Sequence, residues 1–268
     1  MKLIILKVGG SVCTEKERNN VKSKIAVIKR VAREIKAAKK KQKFKLILIH
    51  GAGPFGHKFV HNYGVKNGVK KTNKKQVEGF VRTHNSMEDL NKIFMDVFRK
   101  EGLLGFPIQT SACVTQKDKK ISKFDVSIIK ELLKFEDVIP IMYGDMVVDS
   151  SKGASVVSGD ALISYLAKKL NADLVLLGVD LDGIYTENPK KNKNAKLVEI
   201  INSKNFNEVL KYVGDSSGVD VTQGMKGKLL EIKKIANKRK VVIFNLNKTN
   251  YLYNLLNGKK VISTEIKL

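Results

Sequence analysis

The stretch Leu46-Ile47-Leu48-Ile49-His50-Gly51-Ala52-Gly53-Pro54-Phe55-Gly56-His57 constrains this chain more than any other. A short, wholly apolar run that breaks into glycines reads as a buried strand feeding a loop and then a helix. Glycines at 51, 53 and 56 let backbone N–H groups approach a ligand that side chains would block. A helix opening at the same point turns its positive dipole end towards an anion. A phosphate is therefore the first ligand to consider, although a plain tight strand-to-helix turn uses the same residues.

Two known motifs overlap this loop. Gly51, Gly53 and Gly56 match the spacing of the dinucleotide fingerprint, but that motif follows a first strand and is answered about twenty residues later by an acid for the ribose. The corresponding segment, Gly68-Val69-Lys70-Lys71-Thr72-Asn73-Lys74, has no acid. A Walker loop needs Lys and Ser/Thr where His57-Lys58 stands.

A second glycine turn precedes the first. Residues 3 to 8 read as a buried strand, followed by Gly9-Gly10-Ser11. Between the two turns, Ile25, Ile28, Val31, Ala32 and Ile35 recur at helical spacing with Lys and Arg opposite. A βαβ unit with a right-handed crossover puts both glycine turns at the carboxyl edge of one sheet.

Further on, helical residues are expected from Phe59, and a long helix spans Lys75 to Lys100. Its apolar stripe is Val77, Phe80, Val81, Met87, Leu90, Ile93, Phe94 and Val97, read as core or as the lining of an apolar pocket. Ile108 to Thr115 is predicted as a strand, Val126 to Leu133 as a helix, and Val138 to Tyr143 as a strand ending in Gly144-Asp145. Met146 to Asp149 returns as a β segment. Ser158-Gly159-Asp160 precedes an apolar helical pattern, where Ser and Asp are favoured caps. Asp173 to Gly178 is a buried strand leading to Asp180 and Asp182, a pair suited to Mg²⁺, to a ribose or to a plain Asx turn. Thr222 to Lys228 opens a helix running to about Asn237. Strands at Val241 to Leu246 and Val261 to Thr264 flank a short helix, Tyr251 to Leu256. No internal repeat is visible, and no linker is long enough to separate two domains.

The formal charge of +25, from 51 Lys+Arg against 26 Asp+Glu, raises the question of nucleic acid. The excess is lysine scattered through every segment, with no recognisable nucleic-acid module, and reads as solvated faces. Two cysteines and four histidines argue against a disulfide framework or a zinc site and for a reducing cytosol. The apolar start, Leu3 to Leu6, is cut off by Lys7 and Gly9-Gly10. It is too short for a signal-peptide core or a membrane span, so a cytoplasmic location is expected.

Two glycine turns, lysines at 7, 16 and 228, and Asp160 make a set of backbone donors and cations with no nucleophile–base pair. Such a set stabilises moving charge and does little covalent work, which is what phosphoryl transfer asks for. In that light Lys7-Val8-Gly9-Gly10-Ser11, His50-Gly51-Ala52-Gly53, Ser158-Gly159-Asp160, Val179-Asp180-Leu181-Asp182-Gly183 and Gly224-Met225-Lys226-Gly227-Lys228 resemble, in order, the motifs of the amino acid kinase superfamily. Within it, Thr14-Glu15-Lys16 and Phe55-Gly56-His57 are similar to the isopentenyl phosphate kinase family, which makes isopentenyl diphosphate from isopentenyl phosphate and ATP in an alternative mevalonate route typical of archaea. Ala52 departs from the family's glycine triplet, though a backbone donor at 52 would serve as well.

The resemblance implies a single α/β domain, an open and mostly parallel sheet between helix layers, with an acceptor lobe over 1–170 and an ATP lobe over 171–268. It implies that Lys7, Val8, Gly9, Gly10 and Ser11 hold the ATP phosphates and that Lys16 neutralises the group in flight. Ala52 and Gly53 would offer backbone donors, Gly53 on the ATP side. His57 would bind the acceptor phosphate, Gly144 would lie beside the substrate, and Asp160 would orient the lysines. Asp180, Gly224 and Lys228 would lie on the ATP side. Mg²⁺ would travel with ATP rather than on a dedicated ligand set, and family members are commonly homodimers.

The residues favour a phosphate acceptor on their own account. A phosphate monoester is largely ionised at neutral pH and needs no general base, whereas an amino-acid acceptor calls for an arginine that the motifs lack. Other small phosphates or phosphonates, nicotinamide cofactors at the 51–56 glycines, and nucleic acid remain as alternatives.

Overall fold

Alternate residues of a strand point to opposite faces, and in the two strands that carry the glycine turns both faces are apolar. Ile4, Leu6 and Val8 of strand Lys2–Val8 join Leu46 and Leu48 of strand Phe44–His50 in one core, while Ile5, Ile47 and Ile49 join the other. Burial on both faces is the property of a central parallel strand with helices above and below. The computed structural model describes residues 1–16, 21–213 and 224–268, with the side chain of Lys16 excepted.

Among the described residues the main sheet has eight strands in the spatial order Ile200–Ile201, Ser263–Ile266, Lys240–Asn245, Leu174–Val179, Lys2–Val8, Phe44–His50, Ile139–Tyr143 and Gly105–Pro107. All neighbours are parallel except Lys240–Asn245 and Ser263–Ile266. One face is covered by helices Ile25–Lys41, Lys74–Lys100 and Tyr251–Leu256, through Ile28, Val31, Ile35, Leu90, Phe94 and Leu252. Helices Gly159–Lys169, Phe206–Tyr212 and Gly224–Lys233 cover the other, through Leu162, Leu166, Phe206, Val209 and Leu229. The expected open, mostly parallel sheet between helix layers is what the chain forms.

A smaller sheet of four strands, Gly153–Val157, Asp145–Asp149, Val114–Lys117 and Lys120–Phe124, stands beside the carboxyl edge of the main one. Here the structure departs from the sequence reading. Ile108 to Thr115 is not one strand: the edge strand is Gly105–Pro107, a four-residue helix occupies Thr110–Cys113, and a strand of the smaller sheet begins at Val114. The Thr110 hydroxyl donates to the Tyr143 carbonyl (2.6 Å), anchoring the turn against the main sheet. The last strand lies at Ser263–Ile266 rather than 261–264, because its antiparallel pairing with Val241–Phe244 sets the register. The helix after the central loop starts at Pro54, not Phe59. Proline suits a first helical position, whose N–H would have no partner within the helix.

Candidate active site

The two glycine turns lie at the same carboxyl edge and are packed backbone to backbone. A side chain at Gly10 would run into Gly53, whose Cα lies 2.8 Å from where the added Cβ would sit. Gly53 itself has φ +50, a conformation that favours glycine. The Thr14 hydroxyl donates to the Gly10 carbonyl (2.6 Å) and Gly51 N donates to the Val8 carbonyl (2.9 Å), so the loops are held as a unit. Helices Gly10–Cys13 and Pro54–Asn62 both begin here, and first turns leave backbone N–H groups unsatisfied.

These loops open on a cavity of about 360 Å³ lined by Lys7, Gly9, Gly10, Ser11, Ala52, Gly53, His57, Gly144, Asp160, Asp180 and Lys228. The sequence placed every one of these at the site, and the fold brings them together from six segments of the chain. Val8 is buried in the strand beneath. Gly224 begins helix Gly224–Lys233, four residues before Lys228. Lys16 ends a short strand, Thr14–Lys16, and its side chain lies outside the described residues, as do Thr222 and Gln223.

Charge is concentrated at Asp160. Ser158, not Asp160, is the N-cap of helix Gly159–Lys169, accepting from Ala161 N (3.1 Å). That leaves the Asp160 carboxylate in the first turn to bind two lysines: Lys7 Nζ at 2.6 Å from one oxygen and Lys228 Nζ at 3.2 Å from both. All three side chains are about nine-tenths buried. Burial opposes the charge on Asp160, but Lys228 and Lys7 outweigh it and hold the carboxyl well below the usual carboxylate range. Burial lowers Lys7 to about 8 with the help of Lys228, and Asp160 works in the opposite direction. The cluster carries one positive charge more than it neutralises internally, in a setting where an arriving phosphate would be held strongly.

Asp180 follows strand Leu174–Val179. One oxygen accepts from Ser11 Oγ (3.4 Å) and the other from Lys190 Nζ (3.0 Å). Burial pushes its pKa up, but Lys190 prevails and keeps it ionised. Lys190, which the sequence reading counted among solvated lysines, is thus tied to the site. Asp182 faces away to Lys248 and Asn245. Among the described residues no group of three or more His, Cys, Asp or Glu side chains is arranged to hold a metal ion.

His57 lies in the first turn of helix Pro54–Asn62, half-buried, with its backbone N–H donating to the Gly53 carbonyl (3.0 Å). Beyond it the wall becomes apolar: Val60, Met87, Val156 and Val157, with Thr83 among them. The apolar stripe on helix Lys74–Lys100 is mainly core, the first of its two expected roles. Of its members only Met87 reaches the cavity; Leu90, Phe94 and Val97 pack in the core, and Val77 and Val81 are exposed. Val60, Val156, Val157 and Thr83 were missed. The two valines at 156 and 157 lie on a strand of the smaller sheet, and only the folding of that sheet over the loop brings them to the site.

The amino acid kinase family model matches residues 2–245. The chain is 37% identical over 271 residues to the isopentenyl phosphate kinase of Methanocaldococcus jannaschii, covering 98% of each. It is 36% identical over 240 residues to that of Methanothermobacter thermautotrophicus, covering 88% of each. A crystal structure of an isopentenyl phosphate kinase superposes with a TM-score of 0.85 at 33% identity, over 98% of this chain and 100% of the other.

Proposed function

The chain belongs to the amino acid kinase family, and from that premise we propose that it transfers the γ-phosphoryl group of ATP to isopentenyl phosphate. The observation that carries this reading is the Lys7–Asp160–Lys228 cluster. It lies beside two interlocked glycine turns, in the wall of a cavity that is apolar beyond His57. Cations and backbone donors suit two phosphates, and Val60, Met87, Val156 and Val157 suit a short hydrocarbon tail.

An oxygen of the acceptor phosphate attacks the γ-phosphorus. A P–O bond forms as the bond to the bridging oxygen of ADP breaks, and ADP leaves. The acceptor oxygen is already ionised near neutral pH, so no base is required. The obstacle is repulsion between two polyanions, and fixed positive groups lower it without reorganising during transfer. In this reading Lys7, Gly9, Gly10, Ser11 and Lys228 hold the ATP phosphates, Asp160 fixes the two lysines, and Asp180 holds the nucleotide side through Ser11. Lys16 meets the group in flight. Ala52 and Gly53 donate from the backbone between the two phosphates, His57 binds the acceptor phosphate and Gly144 lies beside it. The reading keeps an acceptor lobe over 1–170 and an ATP lobe over 171–268, with the first glycine turn reaching across to the ATP phosphates. Mg²⁺ enters on the ATP phosphates, where it would neutralise charge.

The reading includes a cytoplasmic homodimer. No described helix is long and apolar enough to cross a membrane. Leu104 and Phe106, at the edge strand Gly105–Pro107, are exposed and offer a second copy an apolar sheet edge. Phe106→Asp should shift the protein to monomer in sedimentation velocity; an unchanged mass would remove that edge as the interface.

The function is tested with a panel of acceptors and Mg-ATP, read by ADP release and ³¹P NMR of the product. Isopentenyl phosphate and its dimethylallyl isomer should be far better acceptors than UMP, acetylglutamate or fosfomycin. Comparable turnover of UMP or an amino acid would overturn the assignment.

A further inference from the structure

Behind the acceptor wall lies an ion pair that the phosphate chemistry above does not use. Asp145 follows Gly144 directly and belongs to the cavity wall, but its side chain is wholly buried, turned away from solvent. Its carboxylate accepts from Nδ1 of His84 (2.9 and 3.1 Å) and from the Met146 backbone N–H (2.8 Å). His84 comes from helix Lys74–Lys100, one residue after Thr83 and three before Met87, both of which line the cavity. Its Nε2 lies 3.5 Å from Glu88 and 3.0 Å from the side-chain amide of Gln109, which presents its oxygen as acceptor when the ring is protonated. Tyr143, on the adjoining strand, also lies within electrostatic reach of this carboxylate.

We propose that His84 and Asp145 are a positioning pair for the acceptor. His84 holds the Gly144–Asp145 segment in place and cancels a buried negative charge that a phosphate monoester would otherwise meet in the wall of its own site. An uncompensated carboxylate beside a dianion is repulsive, and the low-dielectric surroundings screen it poorly. A protonated imidazole makes the pair neutral. The hydrogen bond that His84 donates to Asp145 is also the main reason that His84 holds its proton more tightly than an ordinary histidine, with partial burial opposing it and Glu88 adding to it. As pH rises through the His84 pKa, the wall acquires a net negative charge and acceptor binding weakens. ATP, which binds at the lysine cluster, is not affected.

The inference rests on the proposed acceptor, and the test separates the two. KM and kcat for isopentenyl phosphate and for ATP are measured from pH 5.5 to 8.5 on the wild type, His84→Gln, Asp145→Asn and the double variant, each with a thermal melt. In the wild type the acceptor KM should rise about fivefold or more across a step above pH 6.5. His84→Gln should show the high KM at every pH with that step gone, kcat within about threefold and the ATP KM unchanged. Asp145→Asn should move that step to lower pH, because His84 loses the partner that holds its proton, and the double variant should bring the acceptor KM back towards the low-pH wild-type value. Titration of the substrate phosphate persists in all four proteins, so the difference isolates His84. A wild type that does not phosphorylate isopentenyl phosphate would remove the functional reading itself. Normal turnover with the same pH step in His84→Gln would overturn only the pair, as would parallel losses in kcat and both KM values. If His84→Gln does not fold, a pH step left at its wild-type position in Asp145→Asn overturns it, and failure of both variants to fold assigns the pair to the core.

Discussion

His50 and His57 frame the same glycine loop, and the fold gives them opposite environments. His50 ends the central strand, fully buried, stacked on Phe94 (centroids 4.4 Å, planes 7° apart) and on Tyr143 (5.3 Å). Its ring nitrogens meet the Gly51 carbonyl and Asn91, both at 3.3 Å, and burial lowers its pKa to about 4. His57, seven residues on, is half-buried on the cavity wall. A strand end between helix layers is sealed from water, whereas the first turn of a helix beyond the sheet edge is open to a ligand. Residue type is thus a poor guide to role, and position relative to the sheet edge is a better one.

The largest effect should come from residues on the cavity side that face moving charge. Lys7→Ala should lower kcat by roughly 100-fold or more, on the scale of losing one electrostatic stabiliser. Lys16→Ala should do the same, while Lys40→Ala and Lys71→Ala, both exposed, should change almost nothing. Equal losses in steady-state assays of all four would mean that the +25 charge acts only as a global field, and the contrast between cavity and surface would collapse.

His57 sharpens the comparison directly. His57→Ala should leave the melting temperature and ATP binding nearly intact while lowering kcat/KM for isopentenyl phosphate about 10- to 100-fold, the worth of a charge-assisted hydrogen bond. His57→Gln keeps a donor and should retain more. A large fall in melting temperature, with normal single-turnover transfer by the folded fraction, would move His57 to His50's side of the comparison.

The smallest effect on activity is expected at His50, where stability responds instead. The folded pKa lies below the ordinary value, so between pH 6.5 and about 4 the unfolded chain binds the extra proton and stability falls as pH falls. At 2.303RT per pH unit the full loss is about 3 kcal/mol, reached below pH 4. His50→Gln, followed by denaturant melts from pH 4 to 7, should flatten this limb and leave transfer by the folded fraction unchanged. An acid limb of the same slope in the variant would show that other groups carry it.

Much of this molecule was legible in the sequence. Apolar runs ending in glycine located the two strands and loops at the centre, helical periodicity located Ile25–Lys41 and Lys74–Lys100, and Ser158 announced a capped helix. Each is a local signal, readable from neighbours along the chain. The reading failed at Gly105–Pro107, Thr110–Cys113 and Val114–Lys117, where an apolar pattern alone cannot say which of two sheets a segment will join.

The sequence by itself determined the class of fold, the two glycine turns at one edge of the sheet and the polar residues that surround the cavity. Tertiary structure decided that Asp160 serves both Lys7 and Lys228, that Lys190 reaches Asp180, and that Val156 and Val157 rather than Leu90 and Phe94 face the cavity. It also paired His84 with Asp145. Strand register and helix orientation put these groups within hydrogen-bonding distance. Both are set by burial summed over the whole core, a quantity that no local stretch of residues contains.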